Sequence, residues 1–158
     1  MKRGKPLKRT PLKRGSSQLK RTPLARRSKK TKDLYVERRE IVQEMLAAQP
    51  NCVACKLWAA FDLHNGKQSN IIVNVNKTRD IHELVNRSQG GSITERRNLL
   101  AVCRPCHNRI TTEPKDAERL GLHLESWCNT SAGFNEAERL RHEWSSGTPT
   151  EPSWFQNN

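Results

Sequence analysis

Two short-spaced cysteine pairs, Cys52-Val-Ala-Cys55 and Cys103-Arg-Pro-Cys106, constrain this chain more than any other feature. Four thiolates in two C-x-x-C motifs can complete one tetrahedral site for zinc, and such a site ties together segments far apart in sequence. With no apolar secretory core after the basic start, the cysteines are expected to be reduced ligands rather than disulfides. A plain zinc ribbon separates its pairs by ~15 to 20 residues, whereas 47 separate Cys55 from Cys103. The ribbon is therefore interrupted by an insertion. That insertion holds Asp80-Ile81-His82-Glu83-Leu84, Gly90-Gly91 and Asn98-Leu99, and Cys106 is followed directly by His107. Cys128 has no partner motif and reads as a small buried hydrophobe.

Charge divides the 158 residues unevenly. Of 29 Lys and Arg, 14 fall in residues 1–32 without a single acid, leaving 15 against 16 acids in the remainder. The near-neutral remainder is expected to fold, and the polycation is expected to act as an arm. Lys8-Arg9-Thr10-Pro11-Leu12 recurs as Lys20-Arg21-Thr22-Pro23-Leu24. Such a segment has too little apolar surface to offset chain entropy, its charges repel, and each proline denies helix to the residue before it. The arm is expected to be disordered when free and to engage phosphates without reading sequence. No apolar run approaches the ~20 residues needed to span a bilayer, so a soluble, cytoplasmic protein with no membrane partner is expected.

Periodicity places a helix over 33–48, with Leu34, Ile41, Met45 and Ala48 on one stripe, stopped by Gln49-Pro50. Residues 51–63 are expected to form a tight thiolate-bearing turn, and 64–77 a loop or hairpin around Ile71-Ile72-Val73. Strands are expected over 79–84 and 99–102, with a loop between them. A short helix carrying His107 is bracketed by Pro105 and Pro114, a further helix covers 135–144, and 145–158 is a loose tail. The domain plan is thus an arm over 1–32, a folded domain over 33–144 with its motif core at 52–114, and the tail.

The run Asp80-Ile-His-Glu-Leu, then Arg87-Ser-Gln-Gly-Gly91, then Asn98-Leu-Leu-Ala-Val-Cys103-Arg-Pro-Cys106-His107 resembles the HNH endonucleases. The resemblance implies an α+β fold: a small ββα-metal domain with a four-cysteine structural zinc site, flanking helices and the basic arm. It implies metal-dependent hydrolysis of DNA phosphodiesters by one divalent ion, Mg2+ or Mn2+, leaving a 5′-phosphate and a 3′-hydroxyl. A single unit of this kind nicks one strand. His107 matches the family's final metal ligand, and Asn98 matches the residue that holds the loop in shape. The first motif departs from the family's Asp-His or His-His. Spacing to Gly90-Gly91 puts His82 at the metal-binding position and Glu83 at the general-base position; the other register makes His82 the base and Asp80 the ligand. Arg87, Arg104 and Arg109, with Lys8, Arg9, Lys20 and Arg21 of the arm, are candidate phosphate contacts. The arm's composition is also similar to that of small phage-encoded HNH proteins. This points to a bacterial host cell, with DNA and phage packaging or replication proteins as partners. Two other readings remain open: a zinc-ribbon DNA-binding or packaging accessory protein without catalysis, and an RNA partner in place of DNA.

Overall fold

The computed structural model describes residues 28–67 and 76–147. The repeats of the basic arm, the Ile71-Ile72-Val73 segment and most of the expected tail lie outside them. The described chain is mixed α and β, mostly helical with one small sheet: α1 (Lys29–Ala48), α2 (Val53–His64), β1 (Asp80–Glu83), β2 (Leu99–Val102), α3 (Arg104–Thr112), α4 (Pro114–Arg119) and α5 (Ser131–Ser146). Among the described residues, no helix is long and apolar enough to cross a membrane.

Helix α1 begins four residues before the expected boundary at Asp33. The Ser28 side chain accepts from Thr31 N–H at 3.1 Å, and this cap starts the helix inside the basic run. Only Ile41 of α1 is buried. Polar links hold the helix instead: Arg38 donates to the Ile93 carbonyl at 2.7 Å, and Glu44 pairs with Arg96.

The tight turn expected at 51–63 is largely a helix. Ala54, Leu57, Trp58 and Phe61 recur at three, four and seven and are all buried, so α2 presents a continuous apolar stripe to the core. Its position is clamped by the extended strands on either side. Asn51 bridges Lys77, Cys52 N–H donates to the Asn76 carbonyl at 2.9 Å, and Thr78 N–H donates to that of Pro50 at 3.0 Å. The chain thus re-enters the described residues at Asn76–Thr78 beside the first cysteine pair, while Lys67 N–H donates to the Asp62 carbonyl near the end of α2.

Strands β1 and β2 are antiparallel, with Asp80 opposite Val102 and Glu83 opposite Leu99. Every residue of β2 is buried, which gives it a continuous apolar run rather than an alternating one. Pro105 sits in the first turn of α3, where its missing N–H costs nothing. Pro114 ends α3 and also opens α4, for the same reason. Helix α5 extends beyond the expected 135–144 at both ends, capped by Thr130 accepting from Gly133 N–H and closed by Gly147 in the left-handed region. It packs on α2 through Phe61 and Trp144, whose ring centroids lie 5.5 Å apart.

One buried ion pair joins α2 to α3. Arg109 grips Asp62 bidentately at 2.7 and 2.8 Å, reaches Glu113 at 3.0 Å, and lies 4.0 Å over the Trp58 ring. The guanidinium holds the Asp62 carboxyl below the usual carboxylate range. A carboxylate with a lowered folded pKa stabilises the protein above its unfolded pKa, and that stabilisation disappears as pH falls through the folded value. Asp62→Asn should therefore destabilise the protein by about 1.5 to 3 kcal/mol at neutral pH, since it removes the bidentate carboxylate partner of Arg109 and leaves Glu113 as its remaining ion pair. The gap to wild type, measured by urea unfolding, should shrink as pH falls below the ordinary carboxylate range, where the Asp62 carboxylate takes up its proton.

Candidate metal and nuclease centre

The four cysteines of the two pairs converge. Cys52 precedes α2 and Cys55 lies in its first turn, while Cys103 precedes α3 and Cys106 lies in its first turn, so two helix N-termini present the sulfurs. The four sulfurs lie within 4.8 Å of one another and all four residues are buried. Cys55 Sγ is 3.7 Å from Cys103 Sγ and 3.6 Å from Cys106 Sγ, well beyond a disulfide bond. Thiolates bound tetrahedrally at ~2.3 Å from one ion stand ~3.8 Å apart, so this buried cluster is dimensioned to hold a metal such as zinc. Hydrogen bonding from Cys106 lowers the Cys52 thiol to about 5, and burial pushes Cys55 up to about 11. Cys128 lies apart from it and is buried, with its thiol raised to about 11 by burial and by the charges of Glu118 and Glu125.

Because Cys106 faces this cluster, the next residue on α3 points ~100° away. His107 thereby meets His82 of β1, ring centroids 5.4 Å apart and edge to face. His82 is 6 % exposed, and its Nε2 is buried without a hydrogen-bond partner among the described residues. Burial, then the neighbouring His107 and His123, lowers its pKa to about 4, so it is a neutral imidazole at physiological pH. A buried neutral imidazole with a free nitrogen is the form that ligates a metal.

Glu83 follows on β1 and turns to the other face. It is 9 % exposed and held between two cations. Arg87 Nε donates to Oε2 at 3.1 Å, and Arg38 Nη2 lies 2.8 Å from Oε1 in an ion pair without hydrogen-bond alignment. Arg87 also donates to the Tyr35 hydroxyl. Asp80 pairs with the largely exposed Arg104 at 2.8 Å, leaving Oδ2 buried and without a hydrogen bond. Arg104 also lines a hollow of about 300 Å3 with Asn76, Lys77, Arg79, Cys103 and Pro105, which gathers three cations beside the first turn of α3. Arg109 is occupied inside the fold as described. Lys8, Arg9, Lys20 and Arg21 lie outside the described residues.

Asn98 is fully buried and bonded to backbone on both sides of the loop. Its Oδ1 accepts from Val85 N–H at 2.8 Å, while Nδ2 donates to the carbonyls of Val85 at 3.1 Å and Ser92 at 2.8 Å. The loop from β1 is thus stitched to the start of β2. The double glycine has a steric cause. Gly90 adopts φ +89°, and a Cβ on Gly91 would fall 1.9 Å from the Val85 carbonyl oxygen.

Two residues near the centre were not legible as such. His123, 7 % exposed, lies with its ring centroid 6.5 Å from that of His82, yet between Leu122 and Leu124 it reads as an ordinary core position. Arg38 is one of several charges on a helix whose register against β1 no local pattern reveals. Comparison with family models, with curated protein sequences and with solved structures returned no match.

The Asn98 network supports a direct test. Asn98→Ala strands a buried N–H and two carbonyls, each worth ~1 to 3 kcal/mol when left unpaired. Chemical denaturation should show a loss of at least ~3 kcal/mol, and amide exchange should quicken at Val85 while the α2–α5 interface stays protected.

Proposed function

We propose that this protein is a metal-dependent DNA endonuclease of the HNH kind, built around a structural zinc held by Cys52, Cys55, Cys103 and Cys106. The observation that carries this reading is the His82–His107 pair: two imidazoles from separate elements, one with a buried unpartnered nitrogen, set beside a loop that Asn98 holds closed. An accessory zinc protein without catalysis needs the cysteines but has no use for that juxtaposition.

In this reading His82 and His107 bind one divalent ion, Mg2+ or Mn2+, which would neutralise charge on the scissile phosphate and on the leaving oxygen. The neutral state of His82 favours its role as ligand over that of general base, since a base with a pKa near 4 removes protons poorly at pH 7. In this reading the proton of the attacking water goes to Glu83, whose carboxylate is held by Arg87 and Arg38 and would have to turn toward the His82 side of β1 to receive it. Lys77, Arg79 and Arg104 supply cations for backbone phosphate beside the centre. The arm adds sequence-independent affinity for DNA, and one centre per chain gives nicks.

Zinc content is the simplest test of the structural site. The purified protein should carry one tightly held zinc per chain, and Cys103→Ser should lose it together with cooperative melting, because metal binding supplies folding free energy. A metal-free protein with an unchanged melting transition would contradict the assignment.

The catalytic assignment is tested by plasmid nicking across a Mg2+ or Mn2+ titration. Glu83→Gln should lose roughly 10² to 10⁴ of the rate with metal dependence unchanged, as expected for a general base. His82→Ala and His107→Ala should shift the metal requirement upward and recover part of their activity at high metal. If Asp80→Asn shows that rescue and His82→Ala does not, the roles are those of the other register. Full nicking by His107→Ala would remove the His82–His107 pair from the mechanism, and no metal-dependent nicking by the wild type would end the nuclease reading.

A further inference from the structure

A second group of candidate metal-binding side chains sits near His82, with the His123 ring centroid 6.5 Å from that of His82. Glu118 lies in the last turn of α4; the chain then reverses and runs back along β1, with Leu124 N–H donating to the Leu84 carbonyl at 2.8 Å. That reversal carries His123 and Glu125 back over Glu118. One oxygen from each carboxylate and one ring nitrogen of His123 lie within 4.8 Å of one another. His123 is more than nine-tenths buried between the fully buried Leu122 and Leu124, and its side chain makes no hydrogen bond among the described residues.

The two carboxylates are within hydrogen-bonding reach of each other and both are half-buried. Two acids held together in a partly desolvated place need either a shared proton or a cation between them. An imidazole aimed at the same point favours the cation. It also selects among cations, because one imidazole and two carboxylates suit a borderline first-row ion rather than Ca2+, which takes six to eight oxygens, or a soft thiophilic ion.

We propose that Glu118, His123 and Glu125 form a divalent transition-metal site, distinct from the four-cysteine cluster and adjacent to the His82–His107 pair. Ion binding there would fasten the segment after α4 back onto α4, through Glu118 on one side and His123 and Glu125 on the other. The site does not depend on the nuclease reading, since its donors come from residues outside that mechanism.

The test uses full-length, zinc-loaded protein titrated with Co2+, read by visible absorption and by thermal melting. Wild type and His107→Ala should both bind Co2+ at this site and melt several degrees higher with it, since a ligand that binds only the native state raises stability. Glu118→Gln/Glu125→Gln should lose the melting increment and bind this ion about tenfold or more weakly. Its melting temperature without Co2+ should equal or exceed that of wild type, because the carboxylate repulsion is gone. Should the double variant fail to fold, Glu125→Gln alone should show the same loss. Unchanged Co2+ affinity and melting increment in whichever of these variants folds would overturn the proposal, as would loss of all Co2+ binding in His107→Ala. The plasmid assay of the wild type judges the nuclease reading separately.

Discussion

The convergence of four thiols at two helix N-termini is the constraint on which the rest depends. Cys52 and Cys55 fix the start of α2, and Cys103 and Cys106 fix the start of α3. With both starts at one point, β2 must end there, and β1 follows from its pairing with β2. The orientation of His107 is a by-product of the same geometry. Once Cys106 faces the cluster, the helical rotation to the next residue carries the imidazole toward β1. The Asp62–Arg109 pair, stacked on Trp58, fixes the same two helices further along their length, so their relative angle is set at two points.

A second layer of order comes from polar groups that the fold cannot leave unpaired. The loop between the strands has few apolar side chains to hold it, and its closure rests on Asn98, which satisfies three backbone groups from a fully buried position. Glu83 is treated similarly, with two guanidinium groups answering one nearly buried carboxylate. His82 is held differently: among the described residues its Nε2 is buried without a hydrogen bond, as is Asp80 Oδ2 on the same strand, and it lies beside another imidazole. An unpaired buried donor or acceptor next to a group of like chemistry is an unfavourable arrangement without a ligand. This is why the site, and not the fold, suggests chemistry.

Much of the architecture was legible in local pattern. The apolar run Leu99–Val102 and the stop at Pro114 could be read directly, as could the helix carrying His107, because each is set by neighbouring residues and by proline's missing N–H. The role of Asn98 was readable only because its spacing to the double glycine and to Cys103 resembles a known arrangement. Two local signals were present but outweighed. The helical period of Ala54, Leu57, Trp58 and Phe61 was masked by the expectation of a tight cysteine turn, and the Ser28 cap was hidden in a run of positive charge.

What the sequence determined by itself is therefore the inventory and the joints: which residues can ligate, where helices start, and that residues 52–55 must meet residues 103–106. Those follow from side-chain chemistry and short-range geometry. Only the tertiary structure decided which charged groups face one another. Arg109 became an internal partner of Asp62, Arg38 reached Glu83 from a separate helix, and the reversal after α4 set His123 beside His82 and over two glutamates. The residues of these contacts lie 41 to 47 positions apart along the chain for Arg109–Asp62, Arg38–Glu83 and His82–His123. No periodicity spans such distances. Their pairing is set by how helices and strands stack once the apolar faces are buried.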